Sequence, residues 1–122
     1  MKRALVRTLL LAPIVIGSIA CGGGGPDPAV AEADKIFNER CATCHGNTGE
    51  GNGPGAAALN PKPRSFSSGT WQSSVDDARI KKVVVEGGAA VGLSESMAPN
   101  PDLASKPDVL QALVIKIRRF QK

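Results

Sequence analysis

In the run Cys41-Ala-Thr-Cys44-His45, two thiols stand three residues apart and are followed at once by the only imidazole in the 122-residue chain. On one helical turn, residues three apart share a side and the next side chain projects beside them, so this segment gathers two soft nucleophiles and a nitrogen ligand in one place. Four chemistries use such a group. A thioredoxin-like pair needs its Cys-x-x-Cys at a strand-to-helix turn inside a βαβ unit, and no strand-rich pattern precedes residue 41. A structural zinc site needs a second ligand pair, and the chain offers none. A disulfide between Cys41 and Cys44 would occupy the thiols and do nothing more. The fourth is c-type haem attachment, in which the thiols add across two vinyl groups and the adjacent His approaches one face of the iron.

Composition favours the fourth. Phe37, Phe66, Trp71 and Phe120 are the only aromatics, and there is no Tyr. A domain of this size buries only about two-thirds of the surface its unfolded chain exposes, so it is short of core material unless something else fills the middle. A porphyrin would. Because His45 is the only His, ligation by two histidines of this chain is impossible. Once Met1 leaves with a signal peptide, Met97 is the one remaining Met. It lies in Gly92-Leu-Ser-Glu-Ser-Met97-Ala-Pro99-Asn-Pro101, a turn-rich segment without helical or strand periodicity, where a core role is a weaker explanation than ligation. An open sixth position, or another side chain on the iron, is the alternative.

The formal charge of +4 invites a nucleic-acid reading, which depends on where the charges sit. Lys2, Arg3 and Arg7 precede the apolar run Leu9–Ile16 and the small residues before Cys21, the order of a secretory signal over residues 1–20. The apolar stretch is much shorter than the roughly 20 residues a membrane-spanning helix requires. Removing those three charges leaves about +1, and two ionised haem propionates would bring the holoprotein to about −1. Nucleic acid loses its appeal. Cys21 stands at the cut, and Ile19-Ala20-Cys21 resembles the lipobox of a bacterial lipoprotein, although Ser18 departs from the Leu-like residue usual there and Ser18-Ile-Ala20 also suits ordinary signal cleavage. Lipidation of Cys21 would give stable membrane attachment; the alternative is a free or intermolecularly bridged thiol. Gly22–Gly25 and Pro26-Asp27-Pro28 then make residues 21–28 a flexible, lipid-anchored linker ahead of a domain over 29–122.

With these residues in view, the chain resembles the class I cytochromes c, small monohaem electron carriers, over about residues 30 to 121. The resemblance implies an all-α fold, three to four helices packed around one covalently attached haem. It implies Cys41 and Cys44 as the attachment points and His45 and Met97 as axial ligands, Met97-Ala-Pro99 matching the family's Pro close behind its Met. In that family a Gly-Pro step after the haem motif supplies a carbonyl to the proximal His, and Gly53-Pro54 stands at the matching place, which assigns Pro54 to the support of His45. By the same analogy Arg64 or Trp71 hydrogen-bonds a haem propionate; a solvated Arg and a core Trp are the alternative.

Helical periodicity agrees. Ala33, Phe37 and Cys41 form one stripe over 29–44. Ser74-Val-Asp-Asp77 resembles a capping box opening a helix through Glu86, with Ile80, Val83 and Val84 inward and Gly87 as its stop. Ser105-Lys-Pro107-Asp108 opens a last helix whose apolar face is Val109, Leu110, Leu113, Val114, Ile117 and Phe120. The family crosses its first and last helices. Where its last helix often carries an aromatic, this chain has Lys116, so Phe120 is expected to help pack the crossing. Asn60–Phe66 reads as a loop.

The implied function is outer-sphere, one-electron transfer between redox partner proteins outside the cytoplasm, with no catalytic acid, base or nucleophile. Lys62, Arg64, Lys81, Lys82 and Lys106 would steer an acidic partner, or else be plain solvated surface. Two other functions use the same motif: a gas-binding or sensing haem protein with an open sixth position, and a haem subunit of a larger oxidase or reductase complex. The carrier would act as a monomer, the subunit within a respiratory complex.

Overall fold

The computed structural model describes residues 25–122, and within them the chain is helical, with no strand among the described residues. The expected signal peptide, Cys21 and the first half of the Gly-rich linker lie outside the described residues. No helix among the described residues is long and apolar enough to cross a membrane.

Helix α1 (Pro28–Ile36) starts where Pro28 suits the first turn and the Asp27 carboxylate accepts the Ala29 N–H at 2.8 Å. It runs on without a break through a π-helical turn (Phe37–Cys41) into a last α-helical turn, α2 (Ala42–His45). The wide turn is closed by the Ala42 N–H on the Phe37 carbonyl. It alters the expected stripe: after Ala33 and Phe37, the next fully core position falls to Ala42, while Cys41 is only partly buried and lines a cavity. Single π turns inside α-helices commonly mark functional sites, because they rephase the side chains that follow.

Helix α3 (Gly69–Ser74) was not anticipated. Its first turn is capped by Ser68, whose hydroxyl accepts the Trp71 N–H at 3.3 Å. Because Ser74 ends this helix, with its hydroxyl donating back to the Trp71 carbonyl, it does not open the next one. The cap of α4 (Asp77–Glu86) is Asp76, which accepts the Arg79 N–H at 2.7 Å; Gly87 ends it as expected. A 3₁₀ stretch (Pro101–Ser105) leads into α5 (Pro107–Arg119), which begins on Pro107 without a side-chain cap.

The core forms where α1 packs against α5. Phe37, Leu113 and Val114 are fully buried there with Leu103, and burial of side chains of this size contributes about 1.5–3 kcal/mol each. Lys116 does not disturb the contact. Its stem lies along the aromatic surface, with the ammonium 5.1 Å from the Phe37 ring centre and 2.8 Å from Asp34. The Phe120 ring lies 5.1 Å from that of Phe37, as the departure at Lys116 suggested.

The end of α5 is tied to α3 and α4 by polar groups. Gln72 is buried, and its amide donates to the Phe66 carbonyl at 2.7 Å and the Ile117 carbonyl at 2.9 Å. Arg118 donates to the Gln72 carbonyl, the Gln72 amide oxygen, the Val75 carbonyl and the Asp77 carboxylate. Replacing Gln72 by Leu would strand the Phe66 carbonyl in the interior and take one of two donors from the Ile117 carbonyl, which also accepts the Phe120 N–H at 3.3 Å. A loss of about 2–4 kcal/mol is expected in Gln72→Leu, read as a lower denaturant midpoint at unchanged slope.

Candidate functional site

The four carbonyls that end α2 have no partner inside the helix and must find donors elsewhere. The glycine-rich loop that follows returns to supply them. Gly46 donates to Ala42 (2.8 Å), Gly55 to Thr43 (2.8 Å), Gly53 to Cys44 (3.1 Å) and Gly51 to His45 (2.7 Å). The approach is too close for a side chain at Gly53, where a Cβ would sit 2.3 Å from the Thr43 carbonyl oxygen and 2.4 Å from that of Ala42.

The same loop fixes the segment after Pro63. Its Gly49 carbonyl accepts the Phe66 N–H at 2.6 Å, and Gly51 lies against the Pro63 carbonyl. Held there, the Arg64 carbonyl lies 2.9 Å from His45 Nδ1. A carbonyl can only accept, so Nδ1 carries the proton and Nε2 is the lone-pair nitrogen. Burial pushes the His45 pKa below its usual 6.5, against a smaller upward pull from the Arg64 carbonyl, and keeps the ring neutral. Pro54 therefore does not support His45. It is exposed, the N–H of the preceding Gly53 is donated to the Cys44 carbonyl, and the acceptor on Nδ1 comes from Arg64 instead.

His45, Cys41 and Cys44 line one cavity of about 810 Å³, within the range typical of cofactor sites. Both thiols are free, and burial pushes the Cys41 thiol up to about 11, so it is protonated at neutral pH. Val75, Ile80, Val83 and Val84 give the cavity an apolar wall. Met97 lines it from a different segment. The Met97 carbonyl accepts the Gly88 N–H at 2.9 Å, the Leu93 N–H bonds the Gly88 carbonyl at 2.8 Å, and Asn100 donates to the Val84 carbonyl through backbone and side chain, both at 3.1 Å. These bonds pin the Met97 loop onto the end of α4.

Arg64 and Trp71 also line the cavity, Trp71 half-buried with its ring 5.2 Å from Phe66. Arg40, Lys62, Arg64 and Arg79 are its charged lining residues, with no carboxylate among them. Of the five residues read as steering charges, Lys106 pairs with Glu32 at 2.5 Å, Lys82 faces Glu86 at 3.9 Å, and Lys62 donates to the Ala56 and Ala57 carbonyls. Arg64 and Lys81 carry no ion pair among the described residues.

Two features were missed from the sequence: the Arg64 carbonyl and the Phe66 ring, which stacks on His45 with centroids 4.3 Å apart and planes 17° from parallel. The spacing of Gly49, Gly51, Gly53 and Gly55 was a usable signal that a backbone passes close by. Nothing local signalled which carbonyl would meet the imidazole.

The donor set fits haem c: two thiols on one turn, a neutral imidazole with Nε2 uncommitted, a thioether on the same cavity, and cationic groups suited to carboxylates at its margin. Comparison with known proteins points the same way. The family model described as Cytochrome c matches residues 30–114. Among curated proteins, the chain is 40% identical over 62 residues to cytochrome c-555 of Methylococcus capsulatus, covering 48% of this chain and 50% of that one. It is 32% identical over 76 residues to the Cbb3-type cytochrome c oxidase subunit FixP of Azorhizobium caulinodans, covering 62% of this chain and 24% of that one. The chain thus spans half the length of the first relative and about a quarter of the second.

If loop and helix are as closely joined as these bonds require, Gly53→Ala is expected to cost about 3 kcal/mol through overpacking. Gly92→Ala, where nothing lies within 4 Å and only the φ of +75° opposes a side chain, is expected to cost about 1 kcal/mol. Thermal unfolding of the two variants distinguishes them.

Proposed function

The chain belongs to the cytochrome c family, and from that membership we propose that it is a one-electron carrier rather than an enzyme, holding one haem c on Cys41 and Cys44 with His45 and Met97 as iron ligands. The observation that carries this reading is the assignment of the His45 proton. With Nδ1–H donated to Arg64 at 2.9 Å, Nε2 is the nitrogen left to bind a metal, on the cavity that both thiols line.

Bound there, the haem supplies a ferric/ferrous couple. Each side chain then has a defined task. Cys41 and Cys44 hold the group covalently. The Arg64 carbonyl fixes the His45 tautomer and raises the basicity of Nε2. Met97 offers a soft, neutral sulfur, which favours the ferrous state and raises the potential. Val83 and Val84 of α4, on the cavity wall, would exclude water. The Arg64 guanidinium and the Trp71 indole, which line the cavity, would donate to propionates, the first as a fork and the second as a single donor. With His45 and Met97 both offered by the protein, the two residues would hold the group unchanged in either oxidation state, so little would need to reorganise. Cationic groups at the cavity margin and the half-exposed Leu93 suit brief contact with an acidic redox partner protein.

The same proposal places the protein outside the cytoplasm, in the periplasm, tethered to a membrane through an acylated Cys21, a signal peptide over 1–20 having been removed. The order of charged, apolar and small residues before Cys21 supports it. Mass spectrometry of the mature N-terminus is expected to find Cys21 first and acylated; a free Cys21 would overturn the anchor.

The similarity to FixP, by its name an oxidase subunit, favours a second reading in which the same haem serves a fixed partner within a complex. Co-purification of a stable complex after detergent extraction would select it.

Ligation by Met97 separates the carrier from a gas-binding protein. The ferric protein is expected to display a Met-to-iron charge-transfer band and the ferrous protein to resist carbon monoxide. Met97→Ala is expected to lose the band, bind carbon monoxide and fall in potential. Ready binding of carbon monoxide by the unmodified protein would contradict the carrier reading.

A further inference from the structure

The His45 imidazole hinges on its Cβ–Cγ bond, and the single hydrogen bond from Nδ1 at 2.9 Å restrains that rotation only loosely, because its angle can bend well away from linear before the bond weakens steeply. Something else must set the plane. The Phe66 ring lies flat against the imidazole, 4.3 Å between centroids and 17° from parallel. A rotation of His45 about its hinge would drive its edge into this face.

Phe66, which also borders the cavity, is itself held at its backbone and at its ring. Its N–H is donated to Gly49 at 2.6 Å and its carbonyl accepts from the buried Gln72 amide at 2.7 Å. Its ring is bounded by Trp71 at 5.2 Å and by Phe120 at 6.4 Å, and only 7% of the residue is exposed. A plate fixed at both backbone groups and by two further rings transmits its own orientation to whatever stacks on it.

We propose that Phe66 is a positioning residue for the iron ligand, setting the rotation of the His45 imidazole plane about the axis through Nε2. This rests on the reading that His45 binds the iron. An imidazole overlaps through its π system with the metal d orbitals perpendicular to its ring, so the direction of the plane decides how unpaired spin in the ferric state is spread over the porphyrin. A branched aliphatic side chain at position 66 would fill most of the space without presenting a plane. It would also let water nearer the imidazole, which favours the ferric state.

The test uses the ferric holoprotein and three variants, with the paramagnetically shifted haem-methyl resonances and the reduction potential as readouts. Phe66→Leu is expected to redistribute the methyl shifts and lower the potential while keeping the Met-to-iron band. Phe66→Tyr is expected to retain the unmodified pattern. Phe37→Leu removes a fully buried ring from the α1–α5 contact and is expected to lose stability while leaving the methyl pattern in place. Unmoved methyl shifts in Phe66→Leu, an equal redistribution in Phe37→Leu, or a Phe66→Tyr pattern matching Phe66→Leu would each overturn the proposal. Failure of the ligation reading looks different, because the unmodified protein would then lack the Met-to-iron band itself.

Discussion

The carbonyls of Ala42, Thr43, Cys44 and His45 point off the end of a helix and need donors. The chain satisfies them with Gly46, Gly55, Gly53 and Gly51, and most of the site follows from that arrangement. Gly46 caps the helix directly, and a loop that must then return to the helix end three more times, through Gly51, Gly53 and Gly55, has little freedom left. Its Gly49 carbonyl catches the Phe66 N–H, and the residues just before Phe66 are drawn across the imidazole. The tautomer of His45, the acceptor on Nδ1 and the ring on its face are thus consequences of how one helix is terminated. Chemistry at Nε2 is prepared by hydrogen bonds made entirely elsewhere.

The second dependency is on volume. Side chains of the α1–α5 contact make a dense but small core, and the rest of the interior borders a cavity of about 810 Å³. A void of that size with an apolar wall would be costly if nothing filled it, since its lining atoms lose their contacts. Filling it with a large planar group links stability to cofactor attachment. The exposed ion pairs matter less by comparison, each worth about 0–1 kcal/mol.

Different parts of this arrangement were legible in the sequence to different degrees, for physical reasons. The Cys41–His45 motif and the amphipathic faces of α1, α4 and α5 are local patterns, and the fold follows them. The π turn is not a periodic signal, so the stripe through Cys41 was drawn one residue away from the core position that Ala42 takes. The start of α4 was misplaced to Ser74 because two capping residues lie close together. The choice between them depends on the short helix α3, which has little apolar periodicity to announce it. Pro54 was assigned to His45 by resemblance alone, because the family has a Gly-Pro step at the matching place after its haem motif. Selecting Arg64 instead required a contact across the loop, from Phe66 to Gly49, which no local pattern encodes. What remained hidden was long-range backbone pairing; what was readable was side-chain pattern.

Cys41 at the end of the π turn and Cys44 on α2 line one cavity with His45, and we propose that they hold a haem covalently while His45 is kept ready to bind its iron. Intact-mass measurement of the denatured, reduced protein tests it most directly, because a ligand held only by coordination or packing is lost on unfolding and a thioether-linked one is not. The account predicts a mass one haem above that of the mature chain with the acyl groups on Cys21, and loss of that haem when Cys41 and Cys44 are both replaced by Ala. A polypeptide mass with two free thiols, from cells competent to attach haem, would contradict it.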